Sequence, residues 1–387
     1  MSKEKKIREP WIHITKRDAM PWGKTLAIRI VAFVAALVVC SLVTVWMTDL
    51  TPITMFGAMI QGVFGMKIDL AGVLVLLQNA AILLCISLAV TPAFKMRFWN
   101  IGAEGQALMG GLAAAACMIC LRGKVPNAVL ILIIFLAGIA AGMIWGMIPA
   151  IFKAKWGTNE TLFTLMMNYI AMQIVFYFVV VWENPKGGGK IGIINGALSE
   201  YRRAGWLPDL FGQKYILNIL IVVAVMVLMY VYMKYSKQGF EISVVGESEN
   251  TARYVGINVK KVIIRTMAVS GALCGLAGVL LVAGTHHTIA ADTVGGQGFT
   301  AVMVSWLSKF NPFVMAGVSL LIAFLEKGAG GLSTATNAKL NASFADVLIG
   351  IILFFIIGCE FFIGYQIHFA KKNRKKQLTE GGQNNAR

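Results

Sequence analysis

Apolar runs, each about as long as a bilayer is thick, follow one another through this chain with short polar breaks between them. They cover 26–47, 70–91, 104–121, 127–150, 162–182, 215–235, 262–284, an interrupted region 294–325, and 345–368. A helix rises 1.5 Å per residue, so about 20 apolar residues cross a hydrocarbon core of roughly 30 Å. The expected fold is therefore all-α: a polytopic membrane protein of about ten transmembrane or re-entrant helices. Composition points the same way, with 14% charged residues against roughly 25% in soluble domains.

A formal net charge of +17 would suit nucleic acid, but its placement does not. Much of it sits in two terminal blocks, Lys3, Lys5, Lys6, Arg8, Lys16, Arg17 and Lys24, then Lys371, Lys372, Arg374, Lys375 and Lys376. Each block abuts an apolar run, as the cytoplasmic flanks of membrane helices do. The bilayer is the expected partner, and nucleic acid is not. The chain then divides into a basic leader (1–25), a transmembrane domain (26–368) containing a cytoplasmic loop (236–261), and a basic tail (369–387). The run 26–47 is too long for a cleaved signal core and reads as a retained first helix. All six cysteines lie inside apolar runs, where they act as small hydrophobes rather than as a disulfide framework.

Basic flanks also orient the chain. With the N-terminus inside, Lys95, Arg97, Lys153, Lys155, Lys237, Lys260 and Lys261 fall inside as well. The loop 183–214 dissents, since it should be outside yet carries Lys186, Lys190, Arg202, Arg203 and Lys214. Counting 294–325 as one helix gives nine spans and leaves the basic tail outside. The break at Ser308-Lys309-Phe310-Asn311-Pro312 offers a reversal, because proline disfavours helix at the residue before it. Phe299–Trp306 would then descend and Phe313–Leu325 ascend, with at least one piece re-entrant and shielded by protein. A single kinked helix is the alternative. Gly138, Gly142 and Gly146, with Gly271, Gly275 and Gly278, are spaced for close helix packing.

Motifs for bond chemistry are missing. There is no G-x-x-x-x-G-K-[ST], no H-E-x-x-H and no G-x-S-x-G, and no catalytic set, metal site or cofactor is expected. Polar residues inside apolar surroundings are the remaining signal. Asn100, Glu104 and Gln106 stand among glycines where two apolar helices join. A carboxylate at bilayer depth costs roughly 2.5–3.5 kcal/mol, so it faces protein or water. Glu104 either pins a helix start or meets a transported solute. Gln78 and Asn79, and Asn168 and Tyr169, either bridge helices or line a hydrophilic path. Glu360 is a further intramembrane carboxyl without an evident partner.

The loop 236–261 holds Gly246, Glu247, Ser248, Glu249, Asn250, Arg253, Tyr254 and Gly256, which read as a short capped helix. Ser248 suits the N-cap and Gly256 the stop. Held between two membrane helices, such a rod would act as a lever when a partner pushes on it.

Several segments together resemble a known family: Phe98–Gln106 (FWNIGAEGQ), Gly157–Ala171, Val245–Val259 (VGESENTARYVGINV), Ser270–Gly278 and Gly296–Pro312. They are similar to permease subunits of ABC importers of the branched-chain amino acid and simple-sugar superfamily, nearest its nucleoside branch. The resemblance implies that Gly246–Gly256 couples to a separate ATPase subunit. It also implies a second, paralogous permease, an extracytoplasmic solute-binding lipoprotein and a bacterial cytoplasmic membrane with both termini inside. The solute would be a nucleoside, with a pentose or other simple sugar as the alternative. A secondary transporter and a membrane enzyme are the rivals from other classes. Sparse intramembrane acids argue against the first and the lack of a catalytic set against the second.

Overall fold

The computed structural model describes residues 12–17, 20–47, 51–65, 69–183, 191–196, 199–335 and 343–369. In chain order these form strand β1 (Ile12–Lys16), helices α1 (Trp22–Met47), α2 (Pro52–Phe64), α3 (Leu70–Lys95), α4 (Ala103–Cys120), α5 (Asn127–Trp156) and α6 (Glu160–Trp182). Then come α7 (Ile216–Tyr235), α8 (Lys237–Glu247), α9 (Glu249–Tyr254) and α10 (Val259–Leu281), which ends in a π turn, Val282–His286. Helices α11 (Gln297–Leu307), α12 (Pro312–Ala335) and α13 (Ser343–Gly364) and strand β2 (Tyr365–Phe369) complete the series. Among the described residues, nine helices are long and apolar enough to cross a membrane; α2, α8, α9 and α11 are too short.

Each expected apolar run has its helix, with two corrections. Helix α2 has no counterpart in the sequence reading. The last run was expected to continue to 368, but α13 stops at Gly364. Beyond it, Tyr365, Ile367 and Phe369 alternate as a strand does, and β2 pairs antiparallel with β1 in the basic leader, Lys16 opposite Tyr365 and Ile12 opposite Phe369.

Contacts divide the chain into two compact units, 1–58 with 332–387, and 59–331. In the first, α1 packs antiparallel to α13. Arg29 Nε donates to Glu360 Oε1 at 2.9 Å, which gives the isolated carboxyl its cation. Towards the other end, Cys40 Sγ approaches the Leu348 carbonyl at 3.8 Å. The ribbon and this pairing bring the start of α1 and the end of α13 to one end of the unit. With nine long helices among the described residues, a chain whose two ends meet on one face of a membrane needs one further passage.

The second unit is built around α10, which packs against α3, α4 and α5. Glycine decides how close these helices come. A methyl on Gly142 would collide with the Gly271 carbonyl, one on Gly275 with the Gly138 carbonyl, and one on Gly110 with the Gly275 backbone. The order of contacts also sets direction. Gly146 lies against Met267 and Gly271 while Gly138 lies against Val279, so α5 runs antiparallel to α10. Asn100 bonds Ser270 and Gly111 lies against Gly278 and Val282, so α4 runs parallel to it.

The missing passage is the broken region. Ser305 of α11 lies 3.0 Å from Thr91 Oγ1, and Met315 of α12 lies 3.6 Å from the same atom. From there α12 runs back along α3: Ala323 packs with Leu76 and Ala80, and Lys327 Nζ donates to the Gly72 carbonyl at 2.8 Å. The chain thus reverses between α11 and α12. Lys309 and Phe310 make the turn with φ of 49° and 61°. Asn311 then caps α12, its Oδ1 accepting from the Phe313 amide at 3.0 Å, with Pro312 at the first helical position where its missing N–H costs nothing.

Replacing Gly275 by leucine should force α10 away from α5, whose Gly138 carbonyl a side chain there would strike. Overpacking typically costs about 1–3 kcal/mol, so the purified chain should lose several degrees of melting temperature, read by intrinsic fluorescence; Gly317→Leu, where a methyl meets open space, should leave it near the parent value.

Candidate functional site

Helix α11 has 11 residues, about 16 Å at 1.5 Å per residue and roughly half the hydrocarbon thickness. Its N-terminus therefore lies at depth, where the first amides of a helix have no intrahelical partner and no water to take its place. Glu104 supplies the acceptors. Its Oε1 accepts from the Gly296 amide at 2.9 Å and its Oε2 from the Gly298 amide at 2.8 Å. The contact is tight: a methyl at Gly298 would lie 2.5 Å from the Glu104 nitrogen. Glu104 is itself the second residue of α4, level with the middle of α10 by the register just described. The helix start that it pins is that of α11, not of α4.

Two bonds of about 1.5–3 kcal/mol each work against the roughly 2.5–3.5 kcal/mol that a carboxyl costs at the bilayer centre. The helix dipole adds to this, since the positive end of α11 faces the carboxyl. At its other end α11 is held by rings. Trp306 stacks on Trp99 with centroids 5.6 Å apart, and Phe94 meets both edge-on.

The other polar residues singled out in the sequence fall into three groups. Asn100, Gln106 and Asn168 are buried and bonded within the packing. Asn100 Nδ2 donates to Ser270 Oγ at 3.1 Å, and Asn100 Oδ1 accepts from Gln106 Nε2 and the Gly102 amide, both at 3.1 Å. Asn168 Nδ2 donates to the Ile101 carbonyl at 2.9 Å and its Oδ1 accepts from the Gly105 amide at 2.9 Å. These amides fasten the irregular segment before α4 to α6 and α10. Tyr169, next along α6, turns outward and is 62% exposed, so the pair Asn168 and Tyr169 does not share a surface. Gln78 is different again. Its Nε2 donates to Thr285 Oγ1 at 2.6 Å, while its buried Oε1 has no hydrogen-bond partner among the described residues. Asn79 is half-buried beside it.

The loop 236–258 forms two helices where the sequence suggested one. Gly246 and Glu247 end α8, and Ser248 separates it from α9, its Oγ accepting from the Thr251 amide at 3.2 Å. Gly256, with φ of 85°, closes α9. Ala252 is fully buried, and with Ile242 and Val245 it joins a core made by Ala93, Met96, Ala150, Val262 and Met267 at the ends of α3, α5 and α10. Gly246 lets α8 touch α3, since a methyl there would strike the Lys95 carbonyl. The opposite side of the prong is open. Tyr254 is 91% exposed, and Glu249 and Arg253 form a surface pair at 3.3 Å. Asn250 lies in the exposed first turn of α9.

A half-helix held by Glu104, nine long apolar helices among the described residues and an exposed helical prong fixed to the ends of three of them suit a membrane transport component. Residues 73–357 match the family described as branched-chain amino acid transport system / permease component, and the chain belongs to that family. It is 30% identical to the guanosine ABC transporter permease protein NupP of Bacillus subtilis over 75% of this chain and 80% of the relative. To the nucleoside ABC transporter permease protein NupB of Lactococcus lactis it is 28% identical, over 79% and 84%. The glucose ABC transporter permease protein TsgB13 of Haloferax volcanii is 27% identical over 94% of this chain and 95% of its own. The chain is an ABC transporter permease, a transport subunit without catalytic chemistry of its own.

Glu104→Ala should leave two amides of α11 unpaired at a cost of about 1–3 kcal/mol. Hydrogen exchange at Gly296–Thr300 should rise by one to two orders of magnitude in the variant, while exchange in the glycine-packed middle of α10 stays unchanged.

Proposed function

We propose that this chain forms the membrane pathway of an ATP-driven nucleoside importer in a bacterial cytoplasmic membrane, with both termini cytoplasmic. The observation that carries this reading is the α8–α9 prong. One side is fused into the core at the ends of α3, α5 and α10, and the other presents Tyr254, Val255 and the Glu249–Arg253 pair to whatever docks there. A push on that surface is transmitted to three long helices at once. A separate ABC ATPase subunit is the partner that such a prong would serve, and the basic flanks at Lys237, Lys260 and Lys261 support a cytoplasmic position for it.

Closure of the ATPase pair on ATP would move α8–α9 and, through them, switch the pathway between its two faces. A second permease, paralogous to this one, and an extracytoplasmic solute-binding lipoprotein would complete the assembly. Nucleoside is favoured as solute by the two relatives named for guanosine and nucleoside. A simple sugar is the second reading, favoured by the glucose permease that matches nearly the whole chain.

Arg253→Glu should lower solute-stimulated ATP hydrolysis by the reconstituted transporter about tenfold, the factor that 1.4 kcal/mol of lost contact represents. The pair it breaks is exposed, so the chain's melting temperature should hold. Undiminished stimulation in the variant would remove the prong from the coupling path.

A further inference from the structure

At the end of α7 and α10 opposite the α8–α9 prong lies a polar cavity of about 450 Å³, within the usual size range of small-molecule sites. The basic loop left unexplained by the sequence builds it. Described residues of that loop fold down over the end of α10: the Leu207 amide donates to the Ala283 carbonyl at 3.0 Å and the Ile194 amide to the His287 carbonyl at 2.8 Å. Gly205 is tied to Asn127 Oδ1 at 2.8 Å. Trp206 Nε1 donates to the Ile194 carbonyl at 2.8 Å, and its ring lies flat on His287, centroids 3.7 Å apart and planes within 3°.

The floor is the π turn. A π turn inside an α-helix recurs at functional sites because it re-aims side chains. Here it presents Thr285, whose Oγ1 donates to the Leu280 carbonyl at 3.2 Å and accepts from Gln78 Nε2 at 2.6 Å and, at 3.5 Å, from Asn218 Nδ2. One atom of the wall, His287 Nδ1, is buried and has no hydrogen-bond partner among the described residues. Buried polar atoms are normally bonded, so this ring nitrogen takes its partner from ligand or solvent. Backbone strain is concentrated at the same place, with Tyr215 and His287 at φ of 72° and 51° although neither is glycine.

We infer that this cavity is a halting site for the transported solute on the face away from the ATPase, and that it takes a neutral, hydroxyl-bearing molecule with a planar ring, a nucleoside. The inference rests on the nucleoside reading above and gives it a location. Trp206 and His287 supply the flat wall, and Thr285, as an acceptor, and Asn218 supply the polar partners for hydroxyls and ring nitrogens. Burial, with Lys214 close by, holds His287 down to about 4, so at neutral pH it is an uncharged partner. Arg203 and Asp209 lie 3.5 Å apart at the same cavity and offset each other's charge.

The test uses the assembled transporter with its ATPase and solute receptor in liposomes. Thr285→Val should raise the guanosine concentration for half-maximal uptake about tenfold, one hydrogen-bonded contact's worth, and Thr285→Ser should restore it. Leu217→Cys, in a chain cleared of its native cysteines, should be shielded from maleimide by guanosine and not by glucose. Guanosine uptake that is intact and unaltered in Thr285→Val, with no shielding at 217, overturns the cavity while sparing the transport reading. Uptake of glucose in place of guanosine by the parent transporter overturns the nucleoside assignment itself, here and above.

Discussion

A backbone amide in hydrocarbon has to find an acceptor in the protein, and in this chain that demand falls on one carboxyl. The region 287–307 enters the bundle without a helix long enough to cross it, so α11 begins at depth with its first amides unsatisfied. Glu104 accepts two of them. Because Glu104 opens α4, and α4 is seated on α10 through the contact of Gly110 with Gly275, the pin ties the broken region to the centre of the bundle. The reversal at Lys309–Phe310 and the return of α12 along α3 then follow, and with them the even number of passages that the β1–β2 ribbon independently requires.

In the proposed transport cycle the same centre would carry motion. Helix α10 begins at the α8–α9 prong, runs between α4 and α5 on a seam of glycines, passes the level of Glu104 and ends in the π turn beneath the loop around Trp206. A displacement at Tyr254 has a continuous packed route to that turn. Close glycine contacts make the route stiff, because helices without side chains between them cannot slide without striking carbonyl groups.

Most of the fold was legible because the bilayer imposes a length on apolar runs, and nine of these fall where long helices stand. The reversal at Pro312 was legible from parity and proline together. Helix α2 was missed because 13 residues do not reach the length that marks a span, and β2 because Tyr365, Ile367 and Phe369 carry apolar character past the end of α13 with only Gln366 and His368 between them. The site was harder. Glu104 announced itself by sequence, but its partners lie more than 190 positions on, and no local pattern predicts which helix start a carboxyl will meet. Asn100, Gln106 and Asn168 turn out to be bonded within the packing, which sequence could not separate from lining a path. Thr285, Asn218 and Trp206 gave no signal at all, since only the fold of the 191–215 loop brings them together.

The most direct test of this architecture is a cross-link between α3 and α11. With the native cysteines replaced, Thr91→Cys and Ser305→Cys place two thiols where the hydroxyl oxygens now stand 3.0 Å apart. Mild oxidation in native membranes should join them rapidly and in high yield, as a half-helix pinned by Glu104 and returning beside α3 demands. Two cysteines that stay free under oxidation would mean that the region is one continuous kinked helix, and the pinned half-helix would not exist.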